Sequence, residues 1–464
     1  MRMMALYETI GLRSLVRSSR DVKYLCLQRL VRHFAYGSST LILVLYLREL
    51  AIPGKEVGFF MTLTLLGDVV ISLLLTLVAD RIGRRNILAG GSLLMTGSGI
   101  AFATCSNYWI LLAASIFGVI SPSGHEIGPF KAIEESTIAQ LVPANQRSAV
   151  IAWYYLSGTF GAAAGTLTCG WTVEAILLRQ HWNKIHAYRA IFCLYACMGL
   201  LKLALSLALS QHCEQVMPKA EEADERTALL TTRKNLLADS KRKTTCLPSF
   251  SHETRQILPI ICGLLMLDNL GSSLASTAWV SYFFSQKFAL PEKGLGTVFF
   301  ATNLASSLLN LLSASIAQQI GLVKTIVFTK LPSNISAALI PLPSSAQGAL
   351  AILIFRMSTF DLNVAPRQAF VSSAVLPSER TAVLGILNVS ITLAQSTGPI
   401  IAGYLMETER FWIAFILNGS LKGCNDLLFG IIFWNWKGRD DKKILESEQE
   451  SGNQSDSTSV ETRG

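Results

Sequence analysis

The stretch "LTLVADRIGRR", Leu75 to Arg85, puts one aspartate and three arginines into a short segment between two apolar runs. The runs lie near residues 57–78 and 87–105, and each has the length of about 20 residues that a helix needs to cross a bilayer. Charged side chains avoid the hydrocarbon core, so they collect where a chain emerges from it. The stretch therefore predicts a tight polar turn that joins two membrane-spanning helices.

Apolar runs of this length recur along the whole chain. The 464 residues are 51% hydrophobic and only 15% charged, with a mean hydropathy of +0.42, whereas a soluble protein usually carries about 25% charged residues. We therefore expect an all-α, polytopic membrane protein. Twelve transmembrane helices are predicted, near residues 30–48, 57–78, 87–105, 108–140, 148–171, 189–210, 257–284, 294–317, 322–343, 347–375, 381–404 and 411–435.

The positive charges orient the predicted helices. Of the 40 Lys and Arg, 28 fall on one side of the membrane, 8 on the other and four within spans. Because basic residues accumulate in cytoplasmic loops, both termini and the central loop are expected in the cytoplasm. Orientation explains the net charge of +9, and no nucleic-acid partner is needed. The predicted division is a cytoplasmic segment 1–28, a first half 29–211, a disordered cytoplasmic loop 212–256, a second half 257–436 and a disordered cytoplasmic tail 437–464.

Enzyme chemistry finds no support in the sequence. The nine cysteines show no CxxC spacing and the six histidines show no ligand spacing, so no disulfide framework, metal site or cofactor is predicted. A phosphate-binding loop of the GxxxxGK[ST] kind is also missing, so ATP is not indicated as the energy source. The protein is not expected to be an enzyme.

Two internal repeats divide the chain into similar halves. At an offset of 233, "RSAVIAW" from Arg147 matches "RTAVLGI" from Arg380, and the glycines at 165 and 170 match those at 398 and 403. At an offset of 238, "ADRIG" (79–83) matches "AQQIG" (317–321). Both matches fall at equivalent spans. Parallel six-helix repeats around a central cavity are one architecture of secondary transporters.

The opening stretch resembles the loop 2–3 signature of the major facilitator superfamily, G-x-x-x-D-R-x-G-R-R. The resemblance extends from about residue 28 to 436, and the chain is similar to little-characterised fungal members. One departure is Thr76, which stands where the family usually has glycine. The resemblance implies twelve transmembrane helices in two pseudo-symmetric halves, with a cytoplasmic gating motif of Asp80, Arg81, Gly83, Arg84, Arg85, Arg147 and Arg380.

The segment "GHEIGPFKAIEES", residues 124–136, resembles the end of span four in this family. We expect the helix of span four to continue to about residue 140, with a possible kink at Pro129. Glu126 then lies roughly 21 Å from the helix end, inside the bilayer. A charge there costs roughly 2.5–3.5 kcal/mol, so Glu126 is expected to face a polar cavity. Glu134 and Glu135 are expected to pair with Lys131, three and four residues away.

Other ionisable or polar residues fall within predicted spans. For Asp68 and Asp268 the sequence leaves open whether they line a cavity or join helices, and Arg356 is expected to bind a ligand or pair with an acid. Lys202, Lys330 and Lys422 have long stems that can snorkel towards water. The residues that we predict to line the substrate or proton pathway are Glu126, Asp68, Asp268, Asp361, Arg356 and Tyr36.

The resemblance implies a secondary active transporter of a small molecule, working by alternating access. A carboxylate in the membrane can carry protons, so proton coupling is expected, with Glu126, Asp68 or Asp268 as the carrier. The alternatives are a facilitator or a non-transporting nutrient sensor. Neither the drug/proton antiporter motif in span five nor the sugar-porter motif after span six is complete, so the substrate, a drug or a small metabolite, is open.

The sequence also suggests where the protein resides. An acidic dileucine pattern, "ERTALL" at residues 225–230, is read by vesicle-coat adaptors, although so short a match occurs frequently by chance. The plasma membrane and the vacuolar membrane are both compatible with it. We expect a monomer whose partners are the lipid bilayer, protons and a small-molecule substrate.

Overall fold

The computed structural model describes residues 12–118, 120–121, 129–180, 182–214, 251–363, 366–367, 370–371, 374–375 and 379–434. The regular elements within these ranges are all helical. The α-helices are α1 Leu12–Arg17, α2 Arg20–Glu49, α3 Gly54–Ile82, α4 Arg84–Thr104, α5 Tyr108–Phe117, α6 Pro129–Leu141, α7 Ala144–Gln180, α8 Lys184–Leu207, α9 His252–Leu274, α10 Thr277–Phe288, α11 Glu292–Ile320, α12 Leu322–Leu339, α13 Ala346–Thr359, α14 Arg380–Glu407 and α15 Trp412–Phe433. Short 3₁₀ turns lie at Gln211–Cys213 and Phe360–Asn363.

These helices form the expected spans. The first half consists of α2, α3, α4, α5 with α6, α7 and α8, and the second half consists of α9 with α10, α11, α12, α13 with its 3₁₀ turn, α14 and α15. The predicted all-α fold with twelve spans in two halves is confirmed. Six helices among the described residues are long and apolar enough to cross a membrane by length and composition alone. Two others, α5 and α13, are short apolar helices in interrupted spans.

Successive spans alternate in direction, which defines two faces of the bundle. The face at which α2 begins and α15 ends is called the terminal face. It carries the turns at Gly83 and Gly321. The opposite face carries the turns at 50–53, 289–291 and 408–411.

Span four is interrupted, so the expected continuous helix from 108 to 140 was wrong. α5 ends at Phe117, and Ile120 and Ser121 are not helical. The helix resumes at Pro129, a residue suited to the first helical position because no amide hydrogen is needed there. Pro129 therefore starts a helix instead of kinking one. Glu126 lies outside the described residues.

Spans seven and ten are also interrupted, and neighbouring side chains satisfy the carbonyls that the breaks release. In span four, Thr40 donates a hydrogen bond to the Ser121 carbonyl at 3.0 Å. Near the break between α9 and α10, the Asn418 amide donates to the Gly271 carbonyl at 2.7 Å. At the end of α13, Ser333 donates to the Arg356 carbonyl at 3.2 Å. Broken helices persist in a membrane only where such partners exist.

The internal repeat seen in the sequence recurs in the backbone. Gly83 and Gly321 end the second span of each half with φ of 93° and 90°, values that favour glycine. A Cβ added at residue 165 would lie 2.1 Å from the Phe34 carbonyl oxygen on α2, and one at residue 398 would meet Ser273 on α9. The matched glycines at 165 and 398 therefore make equivalent close helix contacts, each within its own half.

The second pair of repeated glycines joins the two halves at the opposite face. A Cβ at Gly170 on α7 would lie 2.4 Å from the Glu292 carbonyl oxygen on α11. A Cβ at Gly403 on α14 would lie 2.5 Å from the Gly54 carbonyl oxygen on α3. These two contacts are related by the repeat, and they bring backbone against backbone because glycine has no side chain.

Further contacts between the halves lie at the same face. Thr62 on α3 donates to the Ser396 carbonyl on α14 at 2.6 Å, and the Gly54 amide donates to Glu407 at 2.6 Å. On the other side of the bundle axis, Tyr188 donates to Glu292 at 2.7 Å. At the terminal face, by contrast, α3 and α14 expose large apolar side chains, including Leu74 and Leu384. The halves are therefore held together at the opposite face.

We predict that Gly403→Ala opens the opposite face. Its methyl group would overlap the Gly54 carbonyl, and a closed contact at that distance is not possible without a shift of α3 or α14. A cysteine at position 62, in a chain without its exposed native cysteines, should react several-fold faster with a membrane-impermeant maleimide. The matched control is Gly385→Ala on the same helix, where nothing lies within 4 Å of the added methyl. Equal labelling in both variants would contradict the prediction.

Candidate functional site

Six charged side chains meet inside the second half, at mid-depth in the membrane. Lys330 lies about 12 Å from the start of α12, and Lys422 lies about 15 Å from the start of α15. The spans that contribute are seven, nine, ten and twelve. We call the group the C-half cluster; its members are Asp268, Lys330, Arg356, Arg367, Lys422 and Asp426.

Asp268 is the centre of the C-half cluster. Its Oδ1 accepts a hydrogen bond from Lys330 Nζ at 2.8 Å and lies 3.5 Å from Lys422 Nζ. Its Oδ2 lies 3.1 Å from a terminal guanidinium nitrogen of Arg367. One carboxylate thus has three cationic partners from three different spans. Contacts with ionised partners are the strongest that such a group can make.

The remaining members are linked through amides and a second carboxylate. Asp426 lies 3.6 Å from Lys330 Nζ and accepts a hydrogen bond from the Asn334 amide at 2.5 Å. Asp268, Lys330, Arg367, Lys422 and Asp426 therefore form one connected network across spans seven, nine, ten and twelve. Arg356 lies beside this network, within electrostatic range of Lys422, and donates to the side-chain oxygen of Asn418 at 3.3 Å.

Burial makes these contacts energetically important. Asp268 and Asp426 are 4% and 0% exposed, and Lys330, Lys422 and Arg356 are 7%, 1% and 3% exposed. An unpaired charge in such surroundings is strongly destabilising, so each member depends on the others. The expectation that Lys330 and Lys422 snorkel to water was wrong, because their ammonium groups bind acids inside the bundle.

A second buried ion pair lies in the first half. Arg32 on α2 makes two hydrogen bonds to the Glu134 carboxylate on α6, and the Tyr154 hydroxyl donates to the same carboxylate at 2.6 Å. Both Arg32 and Glu134 are fully buried. The bidentate geometry fixes α2 against α6.

Two expectations for the first half need correction. Glu134 pairs with Arg32 rather than with Lys131, and the Glu135 carboxylate accepts a hydrogen bond from Tyr155. Lys202 is 0% exposed and its ammonium lies 3.5 Å from the centre of the Phe130 ring. This lysine therefore does not snorkel; a cation over an aromatic face is an alternative to water.

The predicted pathway residues do not all meet in one place. Tyr36 is 2% exposed and its ring lies 5.7 Å from that of His33, within the packed interior of α2. Asp68 is half-buried on α3 and has a polar partner. Asp361 lies in the 3₁₀ turn after α13, but its side chain is outside the described part of the chain. Among the predicted residues, the structure places Asp268 and Arg356 near the same side chain, Lys422.

The predicted gating motif includes a partner that sequence reasoning missed. Glu214, the first residue after the 3₁₀ turn that follows α8, accepts hydrogen bonds from the backbone amides of Arg84 at 2.8 Å and Arg85 at 3.2 Å. These amides open α4, where an anion is favoured by the free N–H groups. The Arg84 side chain donates to Gln140 at 2.9 Å, which ties α4 to α6.

Other members of the gating motif are only partly described. Asp80 and Arg81 end α3 and Arg380 begins α14, but their side chains are outside the described part. Arg147 is partly buried in the first turn of α7. In the second half, Glu379 just before α14 accepts hydrogen bonds from the amide and hydroxyl of Ser251. A carboxylate therefore anchors each described end of the central segment: Glu214 binds the start of α4, and Ser251 binds Glu379. Residues 215–250, which include "ERTALL", are outside the described part.

Comparison of the sequence with models of protein families shows which family the chain belongs to. Residues 25–250 and 261–458 match the model of the Major Facilitator Superfamily. The chain belongs to the Major Facilitator Superfamily. An uncharacterised membrane protein of Saccharomyces cerevisiae is 34% identical over 432 residues, covering 90% of this chain and 94% of the yeast protein. Membership indicates a membrane transporter rather than an enzyme.

Solved structures with the same fold include several transporters. The nucleoside transporter NupG has a TM-score of 0.63 at 13% identity, covering 90% of this chain and 100% of NupG. The xylose transporter XylE from E. coli, in an inward-open conformation, has a TM-score of 0.63 at 16% identity, with coverage of 91% and 99%. A bacterial homologue of the human lysosomal transporter Spinster has a TM-score of 0.65 at 11% identity, with coverage of 89% and 96%. At these identities the similarity establishes the fold.

We predict that Asp268→Asn destabilises the protein strongly. The substitution leaves Lys330, Lys422 and Arg367 without their shared carboxylate, and breaking a buried pair typically costs ~3–5 kcal/mol. The measurement is the melting temperature of purified protein in detergent. Glu174→Gln is the control, since it removes a partly exposed ion pair to Lys293 that should contribute about 0–1 kcal/mol. A loss no larger than that of the control would be evidence against the network.

We also predict that Glu214→Ala loosens the start of α4. Loss of the carboxylate leaves the amides of Arg84 and Arg85 without this acceptor, at a cost of about 0.5–2 kcal/mol. Hydrogen exchange of peptides covering 84–88 should become faster, while peptides covering the amide of Ser251 keep the rate of the unmodified protein. The reciprocal variant Glu379→Ala should show the reverse pattern, and equal effects on both segments would indicate a global change.

Proposed function

We propose that this protein is a secondary active transporter of a small molecule that works by alternating access. The supporting observation is the pair of repeat-related glycine contacts, Gly170 with Glu292 and Gly403 with Gly54, that joins the halves at one face. The glycine contacts involve no interlocked side chains, and the Lys293–Glu174 ion pair beside them is partly exposed, so the two halves can separate there and close at the other face. The C-half cluster and the Arg32–Glu134 pair each lie within one half and remain intact during that motion.

We further propose the orientation of the protein. The excess of basic residues on the terminal face favours the cytoplasm for that face and for both termini. With the opposite face closed, this structure then corresponds to a cytoplasm-facing conformation. A monomer in the plasma membrane or the vacuolar membrane satisfies these requirements.

We propose that a proton gradient across the membrane supplies the energy for transport. A proton carrier must be protonated in one part of the cycle and ionised in another. A carboxylate that is held ionised by several neighbouring cations cannot readily take up a proton. Asp268 has three cationic partners, so its protonation would leave them uncompensated. We propose Glu126 or Asp68 as the carrier, since the sequence places these two acids within spans four and two.

The test is a proton-flux measurement in proteoliposomes. A pH-sensitive dye inside reports protons that enter when pooled small metabolites and xenobiotics are added outside. We expect a pool-dependent signal from the unmodified protein that is lost in the variant with Glu126→Gln and Asp68→Asn together. Glu56→Gln, an exposed acid on the same helix as Asp68, is the matched control and should keep the signal.

Each result of this test bears on a different part of the proposal. A signal that persists in the double variant would show that these carboxylates do not carry the proton. Substrate uptake without any proton signal would indicate a facilitator. If no pool produced flux or uptake, with the protein shown to be folded and inserted, the transport proposal would be rejected in favour of a sensor.

A further inference from the structure

The charges of the C-half cluster do not balance. Among the side chains that the structure describes, it contains four cations, on Lys330, Lys422, Arg356 and Arg367, and two carboxylates, on Asp268 and Asp426. Five of these six side chains are less than a tenth exposed. Two positive charges in excess, held at mid-depth in a membrane, are costly unless an anion approaches them.

The contacts show which cations lack a carboxylate of their own. Arg356 binds the neutral amide of Asn418, and no ion pair of Arg356 occurs among the described residues. Lys422 donates its shortest hydrogen bond to the hydroxyl of Ser272 at 2.7 Å, and it shares Asp268 with two other cations. Neutral oxygen atoms satisfy hydrogen bonds but do not neutralise charge. The cluster is therefore electrostatically complementary to an additional anion.

Arg367 is the member through which an anion can reach the network. About a third of its side chain is exposed (34%), compared with 5% for Asp268. A guanidinium carries five N–H donors in a planar fork that suits carboxylate and phosphate groups. In this structure Arg367 contacts Asp268 through one terminal nitrogen. Other donors of the fork are thus available to a ligand.

Asp268 can release Arg367 without becoming unpaired itself. Lys330 and Lys422 lie 2.8 Å and 3.5 Å from Asp268 Oδ1 and remain in place when Arg367 turns to a ligand. The exchange therefore keeps every buried carboxylate neutralised while it lowers the excess positive charge. A neutral ligand would leave the excess unchanged, and a cationic ligand would increase it.

We propose that the transported substrate is a small organic anion, bearing a carboxylate or a phosphate, which binds the C-half cluster at Arg367. This inference rests on the proposed transport function and specifies its substrate class. Carboxylate and phosphate share the chemistry that Arg367 recognises, and a direct comparison of the two distinguishes them.

The first experiment measures binding and does not depend on transport. The melting temperature of purified full-length protein is recorded with succinate, citrate, glycerol 3-phosphate and inorganic phosphate, and with the neutral counterparts succinamide and glycerol. Ionic strength is held constant with sodium chloride, so that screening is equal throughout. We expect at least one carboxylate or organic phosphate to raise the melting temperature, and no neutral counterpart to do so.

Variants test whether the anion binds at Arg367. Arg367→Gln should weaken the apparent affinity about tenfold or more, because a charge-assisted hydrogen bond is lost. Arg367→Lys should retain part of the affinity, since it keeps the charge but not the fork. Lys23→Gln removes an equal charge from an exposed position on α2 and should leave the affinity unchanged. Equal weakening in all three variants would show non-specific charge attraction and overturn the proposal.

Uptake into proteoliposomes then separates this inference from the transport proposal. Anion binding without uptake would support the anion site and contradict transport. Uptake of neutral or cationic compounds, with no anion binding, would support transport and overturn the anion site. If Arg367→Gln failed to fold, the binding series on Arg367→Lys and the unmodified protein would still decide, since insensitivity of both to every anion contradicts the proposal.

Discussion

The ion network around Asp268 is the interaction on which the second half depends. One carboxylate binds cations from spans nine, ten and twelve, and the span that carries it is interrupted a few residues further on. Removing any partner would leave a buried charge in a medium that cannot solvate it. The relative positions of these four spans are therefore fixed by charge pairing as well as by packing. The adjacent break between α9 and α10 is tolerated because Asn418, on one of the same spans, satisfies a released carbonyl.

The two halves combine rigid interiors with a separable boundary. Buried ion pairs such as Arg32 with Glu134 and Lys330 with Asp268 lie within one half, whereas the halves meet through glycine contacts, hydrogen bonds and the partly exposed pair Lys293–Glu174. Separation of the halves would return a partly exposed pair to water, but separation within a half would break a buried one. The energetically easiest large motion is thus a movement of the halves relative to each other. That division of contacts is what alternating access requires.

Sequence reasoning predicted the spans and the repeat well, because hydrophobic length and glycine spacing are local signals. It failed for charge partners, since local rules favour residues three or four apart, as with Lys131 and Glu134. The actual partner of Glu134, Arg32, is 102 residues away, and Lys330 and Asp268 are 62 residues apart. The helix breaks were also missed, because the side chains that make them tolerable lie on other spans. The pair Asn425–Asp426, inside an apolar run, was the available signal for the C-half cluster.

The repeat is preserved in the backbone but not in the side chains that carry charge. Gly83 and Gly321 share a positive φ, yet Asp80 and Arg81 correspond to Gln318 and Gln319. Likewise Arg32 of the first half binds both oxygens of the Glu134 carboxylate, while Arg356 of the second half donates to the amide oxygen of Asn418. Symmetric backbone contacts are needed for both halves to move alike. Asymmetric charge allows one half to recognise a ligand, and in the second half four cations surround the two carboxylates of the C-half cluster.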